Sequence, residues 1–232
     1  FCFVNREAPN ASLPELEQAV DLAIERQVGA VVFTGGEPTL SKHLAGLVER
    51  ASKGSVPCRG IQTNALRLAD MTLVDELVKA GLNHAHVSLH SANPEEYLRI
   101  TGFGTPSQAA KGLRNLAQRN VELSISLVIC QANASSMKET VAYIYESAPE
   151  ARVVLAVARE QQGLERPWEG TLIRCDEAAR ALGEALIHAA EIGLAMDIAG
   201  TCCIPPCVLD DALLERFGGL FLMGHRQASW QK

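Results

Sequence analysis

The feature that most constrains the fold is a regular alternation of short apolar runs with longer amphipathic segments. The longer segments repeat apolar residues at helical spacing, whereas the short runs have the composition of β-strands. The predicted strands are 30–34, 58–63, 84–89, 121–129, 152–158 and 194–198, and the predicted helices are 12–27, 42–53, 72–80, 94–100, 107–119, 137–147 and 176–192. Alternating strands and helices imply parallel strands joined by right-handed crossovers, so the pattern predicts an α/β fold.

Four of the predicted strands end in polar residues. These ends are Thr34-Gly35-Gly36-Glu37, Gln62-Thr63-Asn64, Ser88-Leu89-His90 and Cys130-Gln131-Ala132-Asn133. In (β/α) barrels the chemistry is carried by loops at the carboxyl ends of the strands. The sequence therefore predicts a ligand site at this edge of the sheet.

The first of these ends offers the most specific signal. Gly35 and Gly36 let the backbone approach a bound molecule closely, Glu37 supplies a carboxylate, and Pro38 stiffens the exit. Such a loop suits a cationic amine. Taken alone, the glycine pair is equally consistent with an ordinary strand-to-helix turn.

Composition favours a single domain without a polyanionic partner. The chain has 232 residues, 47% of them hydrophobic, which is enough for one large core. A net charge of −6 argues against nucleic acid as the main partner. No apolar run approaches the roughly 20 residues that cross a bilayer, so no membrane association is expected. Seven scattered cysteines argue against a secreted disulfide framework and favour a reducing, cytoplasmic setting.

The loop Gly35-Gly36-Glu37-Pro38 resembles the GGEP motif of the radical S-adenosylmethionine (SAM) enzymes. The resemblance implies that these four residues bind the amino group of the SAM methionine moiety. That family holds a [4Fe–4S] cluster on three cysteines spaced C-x3-C-x2-C, and Phe1-Cys2 resembles the end of that motif. Cys2 is thus the expected metal ligand. The two other cysteines would stand before Phe1, so we expect a chain truncated at its amino terminus.

The resemblance also implies a fold. We expect a partial (β/α)6-type radical SAM barrel that lacks its first strand and most of the cluster loop. Residues 1–200 would form this core domain, and residues 201–232 a carboxyl-terminal extension that contains cysteines. Val154–Ala158, on the fifth of the predicted strands, would offer apolar contact to the adenine.

Further strand ends match the family less completely. Thr63-Asn64 resembles a Thr-Asn-Gly element, although Ala65 replaces the glycine, and a simple turn remains the alternative. Val87-Ser88-Leu89-His90-Ser91 resembles a strand end whose serine contacts SAM. The resemblance makes Ser88 a cofactor-binding candidate.

Two side chains near that strand end have competing interpretations. The resemblance makes His90 a candidate catalytic residue, and the alternative is a packed or capping histidine. Arg99 would pair with the SAM carboxylate through bidentate hydrogen bonds, and the alternative is a solvated surface charge. His84 and His86 alternate along one strand, so they share a face that is either the barrel interior or a wet edge.

A third cysteine group lies near the end of the chain. Cys202, Cys203 and Cys207 are candidate ligands of an auxiliary iron–sulfur cluster, and the alternative is a set of spare thiols in a loop. Cys58 and Cys130 fall on predicted strands and are most simply core residues.

The resemblance implies an enzyme that cleaves SAM reductively to a 5′-deoxyadenosyl radical for hydrogen abstraction. Its substrate would be a small molecule or a peptide, and its electron donor a protein such as flavodoxin or ferredoxin. One alternative is a non-catalytic scaffold of the same fold that binds a peptide or metabolite without a cluster. Another is an unrelated (β/α) barrel enzyme in which Glu37 and His90 perform acid–base chemistry.

Overall fold

The computed structural model describes residues 11–158, 170–199, 204 and 208–227. The chain forms two compact units. The amino-terminal unit is built on residues 11–88 and 107–124, and the carboxyl-terminal unit on residues 89–106 and the described residues from 125 onward.

Strands and helices alternate along the described chain, as the sequence predicts. The strands are β1 (Ala30–Phe33), β2 (Cys58–Thr63), β3 (His84–Ser88), β4 (Glu122–Ile129), β5 (Arg152–Val157) and β6 (Met196–Ile198). The helices are α1 (Leu13–Glu25), α2 (Leu44–Lys53), α3 (Met71–Ala80), α4 (Pro94–Thr101), α5 (Pro106–Ala117), α6 (Met137–Ser147), α7 (Cys175–Ile192) and α8 (Asp211–Gln227). The predicted strands and helices are confirmed to within a few residues at each end.

The six strands form one sheet in the order β1-β2-β3-β4-β5-β6. β1 pairs with β2, β2 with β3 and β5 with β6, in each case in parallel. Strand order follows chain order, so every connection moves one position in the same direction across the sheet. This topology confirms the α/β fold and the expected six strands of a partial barrel.

Local sequence signals set the helix boundaries. The Ser12 backbone N–H donates to Glu15 Oε2 at 2.7 Å, which satisfies one of the unpaired groups at the start of α1. Gly81 ends α3 with a φ of 107°, a conformation that glycine adopts at little cost.

The core of the amino-terminal unit lies between its helices and one face of the sheet. Val20 of α1 packs with Leu47 and Ala51 of α2, and the partly buried Val31 and Phe33 of β1 lie against this cluster. Burying an aliphatic side chain of this size contributes about 1.5–3 kcal/mol. The amphipathic faces of α1 and α2 therefore hold them against β1.

In the carboxyl-terminal unit, α6 and α7 pack together. The α7 surface that is buried is rich in small residues, namely Ala178, Ala181, Ala185 and Ala189. Small side chains let two helices approach closely, and the larger Val141 and Ile144 of α6 are fully buried.

Helix α8 is absent from the sequence predictions. Its start is marked by Asp210, whose Oδ1 accepts a hydrogen bond from the Leu213 backbone N–H at 2.7 Å. Gly218 and Gly219 interrupt the apolar periodicity in its middle, which hides the helix from a pattern search. No helix in the described ranges is long and apolar enough to cross a membrane.

Candidate functional site

The loop that follows β1 exposes bare backbone. Gly35 has a φ of 140°, in the region that favours glycine, and both Gly35 and Gly36 are exposed. A Cβ added at either glycine would meet no atom of the described chain within 4 Å. The two glycines thus leave a cradle that a ligand can enter and that the described residues do not fill.

The Glu37 carboxylate ties this loop to the end of β2. Its Oε1 accepts hydrogen bonds from Thr39 N at 3.1 Å, Thr39 Oγ1 at 2.6 Å and Thr63 Oγ1 at 2.7 Å. Its Oε2 accepts from Asn64 N at 2.9 Å. We call this group of bonds the Glu37 clamp. Contact of the same carboxylate with a ligand amine stays a prediction.

The clamp extends to the residues around it. Pro38 is buried and begins a short 3-10 helix, Pro38–Leu40, for which Glu37 is the N-cap. Arg67 Nη1 donates to the Thr39 carbonyl at 2.9 Å. The loop is therefore fixed at both the Glu37 and the Thr39 positions, which leaves its glycine backbone preorganised.

The turn after β2 is held in an unusual conformation. Ala65 has a φ of 59°, where a glycine would be unstrained, and its carbonyl lies 2.3 Å from the position that a Cβ on Gly112 of α5 would take. Asn64 Oδ1 accepts from Leu66 N at 3.0 Å, an Asx-type turn. Asn64 thus forms the turn that the sequence allowed and also donates its backbone N–H to the clamp.

Ser88 lies at the end of β3 in the same unit. The register pairs Thr63 with Val87, so Ser88 stands one residue beyond that pair, level with Asn64. Its side chain is half-buried. The structure therefore joins three of the cofactor candidates, Glu37, Thr63 and Asn64, in one hydrogen-bonded network. Gly35, Gly36 and Pro38 flank Glu37 in the same loop, and Ser88 lies at the neighbouring strand end.

Other candidates belong to the carboxyl-terminal unit. His90 is buried, and its Nδ1 accepts from Val128 N at 3.3 Å, so that nitrogen carries no proton in this arrangement. Arg99 is exposed in the last turn of α4, as expected of a solvated charge. Catalysis by His90 and a SAM contact by Arg99 stay predictions.

The polar end of β4 is a structural junction. The fully buried Asn133 donates from Nδ2 to the carbonyls of His90 at 2.6 Å and Val128 at 2.8 Å, and its Oδ1 accepts from Cys130 N at 2.8 Å. Burial raises the pKa of the Cys130 thiol, which confirms Cys130 as a core residue. The hydrogen bonds of the Asn133 amide thus all go to backbone groups of the protein itself.

Glu96 forms a second internal network nearby, and sequence reasoning missed it. Its Oε2 accepts from Ser91 Oγ at 2.6 Å and Ser136 Oγ at 2.5 Å. Ser124 was missed as well, although Glu122, Ser124 and Ser126 alternate with apolar residues along β4, a period-two signal of a polar sheet face.

The predicted metal ligands Cys2, Cys202, Cys203 and Cys207 lie outside the described residues. Within the described residues, no group of three or more His, Cys, Asp or Glu side chains is placed to hold a metal ion. The open glycine cradle fits the methionine end of SAM, because it offers backbone groups and free space at the place where the motif predicts contact.

The fold and this loop define an α/β protein with a ligand loop at the carboxyl ends of parallel strands. A family model described as the Radical SAM superfamily matches residues 1–144. The chain belongs to the radical SAM superfamily. Its members use a [4Fe–4S] cluster and SAM, and the match excludes the unrelated barrel enzyme.

Similar proteins support the assignment. A probable GTP 3′,8-cyclase of Thermococcus kodakarensis is 33% identical over 123 residues, which cover 53% of this chain and 39% of that protein. Streptococcus suis SuiB bound to S-adenosylmethionine has 20% identity and a TM-score of 0.68, over 85% of this chain and 46% of that one. SuiB bound to its precursor peptide SuiA gives a TM-score of 0.69 at 20% identity, over 85% of this chain and 44% of that one. The chain thus spans less than half the length of these proteins.

Proposed function

We propose that this chain is the body of a radical SAM enzyme and that it binds SAM on the loop from Gly35 to Pro38. The observation that carries the proposal is the combination of an open glycine backbone with the Glu37 clamp behind it. A preorganised loop loses little conformational freedom when a ligand binds. The same residues stand where the family motif predicts contact with the methionine amino group.

Neighbouring residues complete the proposed cofactor contacts. Thr63 and Asn64 fix the loop through Glu37, and Ser88 offers a hydroxyl at the next strand end. Arg99 is proposed to pair with the SAM carboxylate, and His90 to act near the substrate.

Cys2 is proposed as one ligand of the [4Fe–4S] cluster. When bound, the cluster supplies the electron that cleaves SAM to methionine and a 5′-deoxyadenosyl radical, which abstracts hydrogen from a substrate. The chain's own task is to orient SAM on the loop and to hold it away from water. Cys202, Cys203 and Cys207 are proposed ligands of an auxiliary cluster.

The substrate is proposed to be a small molecule or a peptide. A similar protein is named as a GTP 3′,8-cyclase, and a structure of similar fold holds a precursor peptide. A flavodoxin or ferredoxin would supply the electron. A cytoplasmic setting suits the reduced thiols that the cluster needs.

The test uses the natural full-length protein, reconstituted without oxygen. SAM affinity and 5′-deoxyadenosine formation are measured for the wild type and for Glu37→Ala and Ser88→Ala. Both variants should bind SAM more weakly, whereas Glu184→Ala and Ser135→Ala, at exposed positions, should bind it as the wild type does. Unchanged affinity in both Glu37→Ala and Ser88→Ala would overturn the site assignment.

The coding sequence upstream of Phe1 provides an independent test. Cysteines three and seven residues before Cys2 would complete the C-x3-C-x2-C motif. If neither is present, the non-catalytic scaffold becomes the better description, and SAM should then remain uncleaved by the full-length protein.

A further inference from the structure

One face of the sheet in the amino-terminal unit is polar. Gln62, His84, His86 and Ser124 are half-buried on this face, whereas their chain neighbours Ile61, Ala85, Val87, Leu123 and Ile125 are buried on the other. The interior of a (β/α) barrel is usually filled by branched apolar side chains. Two adjacent imidazoles on such a face are costly to desolvate, which favours a functional reason for them.

The polar side chains of β3 and β4 form a continuous chain. Ser124 Oγ lies 2.7 Å from His86 Nδ1 and 3.2 Å from His84 Nε2. His84 Nδ1 lies 3.9 Å from the Glu122 carboxylate. The Glu122 side chain is 83% exposed and that of His84 21%, so the chain begins in solvent and passes into the protein.

The β2 residues beside the two imidazoles are small or neutral. On β2, Gly60 pairs with His84 and Gln62 pairs with His86, and neither of them titrates. A Cβ added to Gly60 would lie 3.3 Å from His84 Cδ2, so the ring sits closely over this glycine. On β4, Glu122 is the charged neighbour. Burial, and then the nearby His84 ring, lowers the pKa of His86, which favours the neutral form of His86.

The serine hydroxyl allows two directions of hydrogen bonding, because it both donates and accepts. In one direction His84 Nε2–H donates to Ser124, Ser124 donates to His86 Nδ1, and the His86 proton is on Nε2. In the other direction His86 Nδ1–H donates to Ser124 and Ser124 donates to His84 Nε2. In either direction each imidazole carries one ring proton.

We propose that His84, Ser124 and His86 form a proton relay between solvent at Glu122 and the substrate of the enzyme. The inference rests on the proposed function, because it assigns the relay to that reaction. His86 precedes Ser88 by two residues on β3, roughly 7 Å along a strand. The inner end of the relay therefore lies on the same strand as Ser88, in the unit that holds the proposed SAM site.

The proton balance closes at each step. His86 Nε2–H breaks as the substrate gains that proton, and His86 Nδ1 then takes the Ser124 hydroxyl proton. The Ser124 oxygen recovers a proton from His84 Nε2–H, and His84 Nδ1 takes one from solvent beside Glu122. One proton has moved inward and the relay is in its other state, from which the reverse sequence carries a proton outward. The relay needs no oxidant or reductant.

The test measures exchange of the imidazole protons with water by ¹⁵N NMR in the full-length protein labelled at histidine. In the wild type, exchange at His86 should proceed through Ser124. Ser124→Ala should slow exchange at His86 by roughly a hundredfold, the lower end of what a positioned acid–base group contributes. Ser124→Thr, which keeps the hydroxyl, should restore it, and Ser126→Ala should leave it unchanged.

If the Ser124 hydroxyl had a purely structural role, its removal would change the exchange rate at His86 in the opposite direction. Removing it would loosen the packing, and exchange at His86 would become faster, which would overturn the relay. A remote variant gives a second test, because Glu122→Gln lies on the surface and does not threaten folding. It should slow exchange at His86 as well as at His84, and an unchanged His86 rate would overturn the relay.

SAM binding by the same samples separates this inference from the proposed function. Wild type and Ser124→Ala should bind SAM equally, since no proton moves in SAM binding. If neither binds SAM, the proposed function fails while the exchange rates still decide the relay. If both bind SAM and Ser124→Ala fails to slow exchange, the relay alone fails.

Discussion

Two strand ends in this molecule both carry polar residues but have opposite structures. The Glu37 clamp, after β1, is bonded on its carboxylate side and leaves Gly35 and Gly36 exposed. The end of β4 is closed, because Asn133 is fully buried and uses its amide on three backbone groups. The proposed ligand site therefore differs from the structural junction in having one side that the described chain leaves open, and not in the polarity of its residues.

The largest expected effect is on stability, and it comes from removing the Asn133 side chain at the closed end of β4. Asn133→Ala leaves the carbonyls of His90 and Val128 and the N–H of Cys130 without this partner. At about 1–3 kcal/mol for each of the three buried groups left unsatisfied, the free energy of unfolding should fall by at least about 3 kcal/mol. Urea denaturation measures it. Asn93→Ala, at an exposed N-cap, is the control and should cost about 1 kcal/mol. Equal losses would contradict the structural role of Asn133.

The open strand end after β1 is tested by variants of the Glu37 clamp. Glu37→Gln and Thr63→Val should each lower SAM affinity, because hydrogen bonds to a charged group contribute about 1.5–3 kcal/mol. The double variant should lose less than the sum of the single losses, since the two residues share a bond. Additive losses would show that the Glu37–Thr63 bond does not matter. Glu49→Gln, in an exposed pair with Lys53, is the control.

Gly36→Ala distinguishes an effect on SAM binding from an effect on the stability of the protein. The added Cβ meets nothing in the described chain, and Gly36 does not have a positive φ, so stability should change by no more than about 0.5 kcal/mol. SAM affinity should fall, because the methyl group occupies the cradle. Gly112→Ala should instead destabilise the fold, because its added Cβ would clash with the Ala65 carbonyl. Unchanged affinity in Gly36→Ala would mean that SAM binds elsewhere.

The smallest effect is a dependence on pH. Burial lowers the pKa of His86 below its ordinary value of 6.5. Just below that value the unfolded chain binds a proton that the folded His86 resists, so stability should fall as pH decreases through about 6.5 and should level off above it. Urea unfolding on both sides of this pH measures the slope. His86→Gln should flatten it, and identical slopes would show that His86 does not contribute.

Much of the fold could be predicted because its signals are local. The periodicity of each segment, Ser12 before Glu15, and Gly81 after α3 all act within a few residues. Helix α8 was not predicted because Gly218 and Gly219 weaken the helical signal of its sequence.

The site was predictable only in part. The glycine loop is a contiguous motif, but two partners of Glu37, Thr63 and Asn64, lie 26 and 27 residues further along the chain, and Ser124 lies 38 residues from His86. No property of Glu37 in the sequence shows that its carboxylate has four donors. The open or closed character of a strand end depends on such distant partners, so the sequence could not show that Glu37 stands beside an open loop and Asn133 in a closed junction.

The close approach of Ala65 to Gly112 has a consequence for how the protein folds. The turn that carries Asn64 is pressed against α5, and Asn115 of the same helix donates to the Leu68 carbonyl at 2.8 Å. Contacts between distant segments form late, because closing long loops costs entropy. During synthesis the Glu37 loop leaves the ribosome well before α5 exists. The Glu37 loop is thus expected to reach its final shape only after the chain through Asn115 has been made and docked, and SAM binding on the proposed site would then report late folding.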